Sequence, residues 1–177
     1  MLAYLFVLLA VAVRLLPHPF TFTPVAASLL FFGARGPKRQ LWIPLALMVA
    51  LDLYLTKVHY AYPFTWDHYV TFVWYAAILW LGTGLRRKAG PVRVIAAALA
   101  SSVSFFLVSN FAFWTTGIMY PRTWEGLTTC FTLAVPYFRQ GIEGDLLFTT
   151  AMFLTPVVLH HLAGLMHRPA DDQAPAI

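Results

Sequence analysis

Residues 101–145 read SSVSFFLVSNFAFWTTGIMYPRTWEGLTTCFTLAVPYFRQGIEGD. This stretch ends one apolar run, crosses a segment rich in aromatic residues, proline and glycine, and enters a second apolar run that carries Glu143 and Asp145. Apolar runs of this length, separated by turn residues, predict two neighbouring helices. What surrounds these helices, and what the two acids pair with, depends on the composition of the rest of the chain.

The composition is that of a membrane protein. Of the 177 residues, 60% are hydrophobic and 11% are charged, and the mean hydropathy is +0.70. Soluble domains have roughly 45–50% apolar and about 25% charged residues. A soluble fold of this size has no interior large enough for so much apolar surface, so the lipid bilayer must be the solvent for most of it. The length predicts one domain, residues 1–168.

Six apolar runs approach the length of about 20 residues that a spanning helix needs. We predict an all-α polytopic bundle of six transmembrane helices with a disordered cytoplasmic tail at 169–177. The spans are residues 2–16, 20–34, 41–56, 68–85, 92–116 and 140–166. The first two runs are short, so residues 15–34 form either a bent helix pair or one span with a re-entrant segment. Residues 122–136 are predicted to be a loop with an amphipathic piece.

Basic residues concentrate in alternate connections between the predicted spans. Eight lie in the second connection, the fourth connection and the C-terminal segment, against four elsewhere. The positive-inside rule places the richer side, and with it both termini, in the cytoplasm. Because the basic residues form short clusters and no continuous face, we expect no nucleic-acid binding. The eight are Arg35, Lys38, Arg39, Arg86, Arg87, Lys88, Arg93 and Arg168.

The opposite, outer half collects most of the acids and many aromatic residues. Asp52 lies about one turn from the outer end of the third span, where a carboxylate needs a partner or water. It is either paired with Lys57 or Arg14, or a polar contact in a ligand cavity. Interfacial aromatic belts are common in membrane proteins, which accounts for much of the aromatic content. Cys130 is the only cysteine and is expected to be a packing residue.

Two helices of the opening stretch carry further candidates. Asn110 and Trp114 are one turn apart on one helix face, where an amide can hydrogen-bond a ligand on which the indole stacks. The preceding serines are expected to serve helix packing. Glu143 begins the last span, where it is either a ligand contact or a partner of Arg139 in a helical ion pair. No nucleophile accompanies these acids, so we expect no enzyme and no catalytic residue.

The histidines support neither a haem nor a metal site in this pattern. A bis-histidine haem needs two imidazoles at matched depth, whereas His18 and His59 lie at the outer edge and the adjacent His160 and His161 lie toward the inner end. His18, His59 and Asp67 have no diagnostic metal-ligand spacing. We therefore predict no metal, and the sequence names no cofactor.

Several blocks of the sequence resemble an uncharacterised family of small bacterial membrane proteins. The resemblance covers nearly the whole chain. The blocks are RLLPHPFTFTPVAA (residues 14–27), Asp52, SSVSFFLVSNFAFW (101–114), YPRTWEGL (120–127) and AVPYFRQGIEGDLLF (134–148).

That family in turn is similar to the substrate-binding S-components of energy-coupling-factor (ECF) vitamin transporters. The similarity implies a six-helix bundle in the bacterial inner membrane, with an extracytoplasmic ligand cavity near residues 14–22, 57–67 and 120–139. Many S-components carry an alanine-x-x-x-alanine pattern on the first helix for docking on a shared partner. Residues 2–16 contain Ala3, Ala10 and Ala12, and no two of these have that spacing.

These observations predict a binding and uptake component for a small organic molecule of vitamin or cofactor-precursor type. The alternative is an accessory subunit of a larger membrane complex that has partner subunits and no substrate of its own. We expect the loop from Tyr120 to Tyr137 to cover the site. The predicted ligand contacts are Arg14, Asp52, Asn110, Trp114, Tyr120, Tyr137 and Glu143.

Overall fold

The computed structural model describes residues 1–16, 22–61 and 63–166, and its helices lie within these ranges. The predicted tail at 169–177 and His18 lie outside them. No strand occurs in the described ranges, in agreement with the all-α prediction. A 3₁₀ turn, Lys38–Gln40, precedes the third helix, and a π turn, Leu55–His59, extends it. The helices are α1 Leu2–Leu15, α2 Val25–Arg35, α3 Trp42–Tyr54, α4 Asp67–Thr83, α5 Pro91–Thr116 and α6 Trp124–Met166.

Three stretches of the described chain are long and apolar enough to cross a membrane: Lys38–His59, Pro91–Thr116 and Trp124–Leu165. This indicates a membrane protein. α1 and α2 are apolar but shorter, with 14 and 11 residues. At the helical rise per residue these lengths correspond to about 21 Å and about 16 Å, less than the hydrocarbon core of about 30 Å. Six full crossings therefore stay a prediction.

α2 forms the centre of the bundle. All ten residues from Val25 to Ala34 are buried, and α1, α4, α5 and α6 pack around this helix. Phe31 makes edge-to-face contacts with Phe6 of α1 and Phe153 of α6, with ring centroids 4.9 and 5.2 Å apart. A helix that is apolar on all sides has to be enclosed by other apolar groups. Here protein supplies that enclosure.

α2 and α4 cross with their backbones in contact. A Cβ atom added to Gly33 would lie 2.8 Å from the Cα of Gly82, and one added to Gly82 would lie 3.0 Å from the Cα of Gly33. Each added atom would also collide with a backbone carbonyl, that of Leu79 or Leu30. Small residues allow this approach, which is a common way of packing helices where lipid supplies no hydrophobic driving force.

α6 differs from the prediction. It begins at Trp124 and continues for 43 residues through Pro136, so the segment expected to be a loop up to residue 136 is helical. The Thr123 hydroxyl accepts a hydrogen bond from the Gly126 amide at the helix start, 3.2 Å away. Proline removes one backbone hydrogen bond from a helix interior, which is why Pro136 was expected to end the element. The prediction failed because packing against α5 supports the helix on both sides of this residue.

The packing between α5 and α6 is antiparallel and aromatic. The Phe106 ring of α5 lies between Phe131 and Phe138 of α6, with centroids 5.4 and 4.5 Å away. These two contacts are on opposite sides of Pro136 along α6. The remaining connection between the helices is short, residues 117–123, and Tyr137 is a helix residue and no part of a covering loop.

Gly117 ends α5 in the left-handed conformation, with φ of 69°. Replacing it with alanine should lower the free energy of unfolding by about 1–2 kcal/mol, because a Cβ atom is disfavoured at this dihedral angle. Thermal unfolding in detergent measures the loss. Gly117→Asn is the control, since asparagine tolerates this conformation better while meeting the same Arg122 side chain. Equal losses of stability for the two variants would show that the loss comes from crowding against Arg122 and not from the dihedral angle.

Candidate functional site

A cavity of about 450 Å³ lies between α1, the start of α2, the π turn, α4, α5 and α6. Seven of the described residues in its wall are aromatic. Six polar residues add a small set of hydrogen-bonding groups. The aromatic residues are Tyr60, Trp74, Tyr75, Phe105, Phe106, Tyr137 and Phe138. The polar ones are Arg14, Thr23, Ser102, Ser109, Asn110 and Asp145.

The short helix α2 begins at this cavity. Val25 and Ala26, in its first turn, form part of the wall. The start of a helix carries the positive end of its dipole, so this part of the wall has a partial positive charge. Gly144 of α6 lies close by: a Cβ atom there would be 3.1 Å from the Phe22 ring. The missing side chain lets α6 approach the start of α2.

Arg14, Asp52 and Tyr75 form a closed triad that joins α1, α3 and α4. Arg14 Nη1 pairs with Asp52 Oδ1 and donates a hydrogen bond to the Tyr75 hydroxyl, 3.1 Å away. That hydroxyl in turn donates to Asp52 Oδ2 over 2.6 Å. Asp52 and Tyr75 are only 7% and 4% exposed. Of the two alternatives raised for Asp52, the structure therefore has the ion pair, and its partner is Arg14.

Asp145 is the acid that enters the cavity wall. Ser102 Oγ of α5 donates a hydrogen bond to Asp145 Oδ2, 2.7 Å away. Asp145 follows Glu143 by two positions, which are about 200° apart around a helix. One acid consequently faces the cavity and the other faces outward, where Glu143 pairs with Arg139 over 3.1 Å.

The predicted contacts separate into three groups. Arg14, Asn110 and Tyr137 line the cavity. Asp52 is not part of the wall but is bonded to Arg14 behind it. The other three, Trp114, Tyr120 and Glu143, are not in the cavity wall.

The three residues outside the wall have other contacts. Trp114 Nε1 donates to the carbonyl of Pro121, 3.0 Å away, and so ties down the short connection between α5 and α6. The Tyr120 ring lies against Phe113. Glu143 is 58% exposed in its ion pair with Arg139.

Sequence reasoning missed Asp145, Ser102 and Tyr75 as members of the site. Asp145 was missed because the sequence does not show which face of α6 packs against the bundle. A helix predicted to start at residue 140 leaves open whether Glu143 or Asp145 faces the cavity. Ser102 was assigned to helix packing, and it does lie between α5 and α6. Tyr75 carried no distinguishing signal in a sequence with eight tyrosines.

A family model described as a family of unknown function, DUF6580, matches residues 1–165. The chain belongs to this family. No curated protein and no solved structure matches the chain. The matched region includes the described residues of the cavity wall and the Arg14–Asp52–Tyr75 triad.

A second cavity, of about 680 Å³, lies at the opposite end of α1 in this DUF6580 protein. Its wall includes Leu2 and Tyr4 together with Arg35, His160 and His161. It is the larger of the two, but its three basic side chains are all exposed. The first cavity combines the buried Trp74 and Tyr75 with the hydrogen-bonding groups of Ser102, Asn110 and Asp145, and we therefore take it as the candidate site.

Within the described residues, no three His, Cys, Asp or Glu side chains are close enough together to hold a metal ion. His68 and Asp67, at the start of α4, instead contact Thr65: the Thr65 hydroxyl donates to Asp67, and His68 Nδ1 lies 3.1 Å from the Thr65 carbonyl. These contacts hold the segment just before α4 against the first turn of that helix.

Proposed function

We propose that this protein binds a small organic molecule of vitamin or cofactor-precursor type within the membrane and serves in its uptake. The cavity carries the proposal. Its volume of about 450 Å³ falls within the roughly 300–1,000 Å³ of small-molecule sites, and it combines aromatic walls with a few placed polar groups in the way such sites do.

We further propose six crossings of a bacterial inner membrane, with both termini cytoplasmic and the cavity toward the outer side. The basic connections support this orientation because they meet at one end of the bundle. Arg86 Nη2 donates to the Gly36 carbonyl over 2.9 Å, and the Tyr4 hydroxyl bonds Gln40. The cavity lies at the other end of α1, beside Arg14. By the positive-inside rule, the basic end belongs in the cytoplasm.

The depth of the cavity follows from α2. This helix runs from the cavity to the basic end and is about 16 Å long, half of the roughly 30 Å hydrocarbon thickness. On the proposed orientation, the floor of the cavity lies near the middle of the bilayer. Binding sites at that depth suit a protein that passes its ligand across the membrane.

By analogy with the ECF S-components that several sequence blocks resemble, we propose uptake but not the docking mode of that group. α1 lacks the alanine-x-x-x-alanine spacing, and Ala3 and Ala10 are buried against the bundle. We therefore propose an uptake component that does not use these alanines to bind an energising subunit. Because Asp52 is paired behind the wall and Asp145 is the one acid among the described wall residues, we propose binding without catalysis.

A cavity-filling variant tests the proposal. Native mass spectrometry of the purified protein should detect a bound small molecule, and Ser109→Trp should remove it by occupying the cavity. Val108→Trp is the matched control, because Val108 is the neighbouring residue on α5, is 43% exposed and lies outside the cavity wall. The control variant should keep the bound molecule.

Two results would contradict the proposal. If Ser109→Trp unfolds at the wild-type temperature and still carries the molecule, the ligand is bound elsewhere. If the wild-type protein carries partner subunits and no small molecule, the accessory-subunit alternative is the better description.

A further inference from the structure

The charges around the cavity do not balance. Arg14 and Asp145 are the charged residues of its wall within the described part of the chain. The Arg14 guanidinium is paired with the Asp52 carboxylate, and its Nη1 contacts both Asp52 and the Tyr75 hydroxyl. This pair is neutral as a unit. Among the described residues of the wall, the carboxylate of Asp145 is therefore the charge without an opposite charge.

Asp145 has a hydrogen-bond donor but no cation within ion-pair distance among the described residues. Its bond comes from the neutral Ser102 hydroxyl. Glu143, on the outer face of the same helix, has the cation that Asp145 lacks, in Arg139. The start of α2 adds about half a unit of positive charge, which is less than a full cation supplies. An uncompensated carboxylate at membrane depth is costly, so a positively charged ligand would be bound preferentially.

The aromatic wall favours the same kind of ligand. Trp74, Phe106, Tyr137 and Phe138 line the cavity on the α4 and α5–α6 sides. Aromatic faces attract ammonium and protonated nitrogen groups, most strongly where water is excluded. A cationic organic molecule would be attracted by both the Asp145 carboxylate and the aromatic rings, whereas an organic anion would be repelled by the Asp145 carboxylate.

We propose that the ligand is an organic cation, an amine or a protonated nitrogen heterocycle, whose charged nitrogen pairs with Asp145 while its apolar part contacts the aromatic wall. This inference rests on the proposed small-molecule site and specifies the ligand class for it. Neutral and anionic molecules of the same shape should bind more weakly.

Three probes of one shape and different charge test this inference. Binding of 2-phenylethylammonium, 2-phenylethanol and 3-phenylpropionate is measured by equilibrium dialysis against the protein in uncharged maltoside micelles. Binding to Ser109→Trp, whose cavity is filled, is subtracted to remove partition into detergent. The ammonium probe should bind at least about ten-fold more tightly than the alcohol, a difference of about 1.4 kcal/mol, and the carboxylate probe more weakly still.

The variant Asp145→Asn tests whether Asp145 causes the preference for the ammonium probe. Asparagine keeps an acceptor for Ser102 and removes the charge, so the variant should bind the ammonium and alcohol probes within about two-fold of each other. Glu143→Gln removes a charge from the outer face of the same helix and should leave the preference unchanged. If Asp145→Asn does not fold, the order in which the wild-type protein binds the three probes still shows whether it prefers a cation.

The outcomes are distinguishable. Equal binding of the three probes, or a preference that survives in Asp145→Asn, would overturn the inference and leave the small-molecule site standing. Binding of no probe above the Ser109→Trp background would count against the proposed function itself.

Discussion

Gly33→Ala should be one of the most destabilising small substitutions in this protein. The added methyl group would meet the α4 backbone, at the Leu79 carbonyl and the Gly82 Cα, and neither can move without displacing α4. Overpacking against flexible side chains costs typically 1–3 kcal/mol, and a backbone obstacle should exceed that range. We expect the unfolding temperature in detergent to fall by about 10 °C or more, measured by tryptophan fluorescence during heating.

Two further variants serve as a control and as a test of whether the two glycines act together. Gly164→Ala is the control, because this glycine also lies inside a helix but has nothing within 4 Å of the added atom. It should be neutral or stabilising by up to about 1 kcal/mol, the difference in helix propensity. Gly33→Ala combined with Gly82→Ala should cost less than the two losses added together, because the first methyl group already separates the helices. A Gly33→Ala protein as stable as wild type would refute the backbone contact.

Asp52→Ala should produce a loss of similar size through electrostatics. It leaves the Arg14 guanidinium half-buried without its carboxylate and deprives the Tyr75 hydroxyl of its acceptor. Removing one partner of a buried pair costs about 3–5 kcal/mol, because the other charge stays behind uncompensated. Chemical denaturation followed by circular dichroism gives the change in the free energy of unfolding.

The Arg139–Glu143 pair provides the matched control. It is also an arginine–carboxylate ion pair, but it lies within one helix on the exposed face of α6, and Glu143→Ala should cost at most about 0.5 kcal/mol. The double variant Arg14→Met with Asp52→Leu removes both charges and should recover much of the stability lost in Asp52→Ala. If Asp52→Ala and Glu143→Ala are equally mild, the triad is not a structural element of the bundle.

The sequence predicted the helices best where apolar runs end in proline, glycine or basic clusters. The span expected at 92–116 is α5, Pro91–Thr116, and the one expected at 68–85 is α4, Asp67–Thr83. The start of α6 was missed because Pro136 has the local chemistry of a helix end, while the Phe106 contacts that support the helix across it are tertiary. No local signal carries that information.

The site was partly predictable for a related reason. Asn110 was selected as a hydrogen-bonding residue on one helix face with Trp114, and Arg14 and Tyr137 as residues around the mouth of the site, and all three line the cavity. Asp145 was passed over in favour of Glu143 because the choice between them depends on helix phase. That phase is fixed by contacts of α6 with α5 and α2, which a single sequence does not reveal.

The enclosure of α2 has a consequence for how the protein is made. α2 is synthesised second among the six helices, yet α4, α5 and α6, which cover much of its surface, leave the ribosome later. With 11 residues, it is also shorter than the segments that are inserted into a bilayer on their own hydrophobicity. α2 can therefore reach its final position only when α6 has been made. A chain interrupted before α6 would present an unassembled apolar segment to membrane chaperones and proteases.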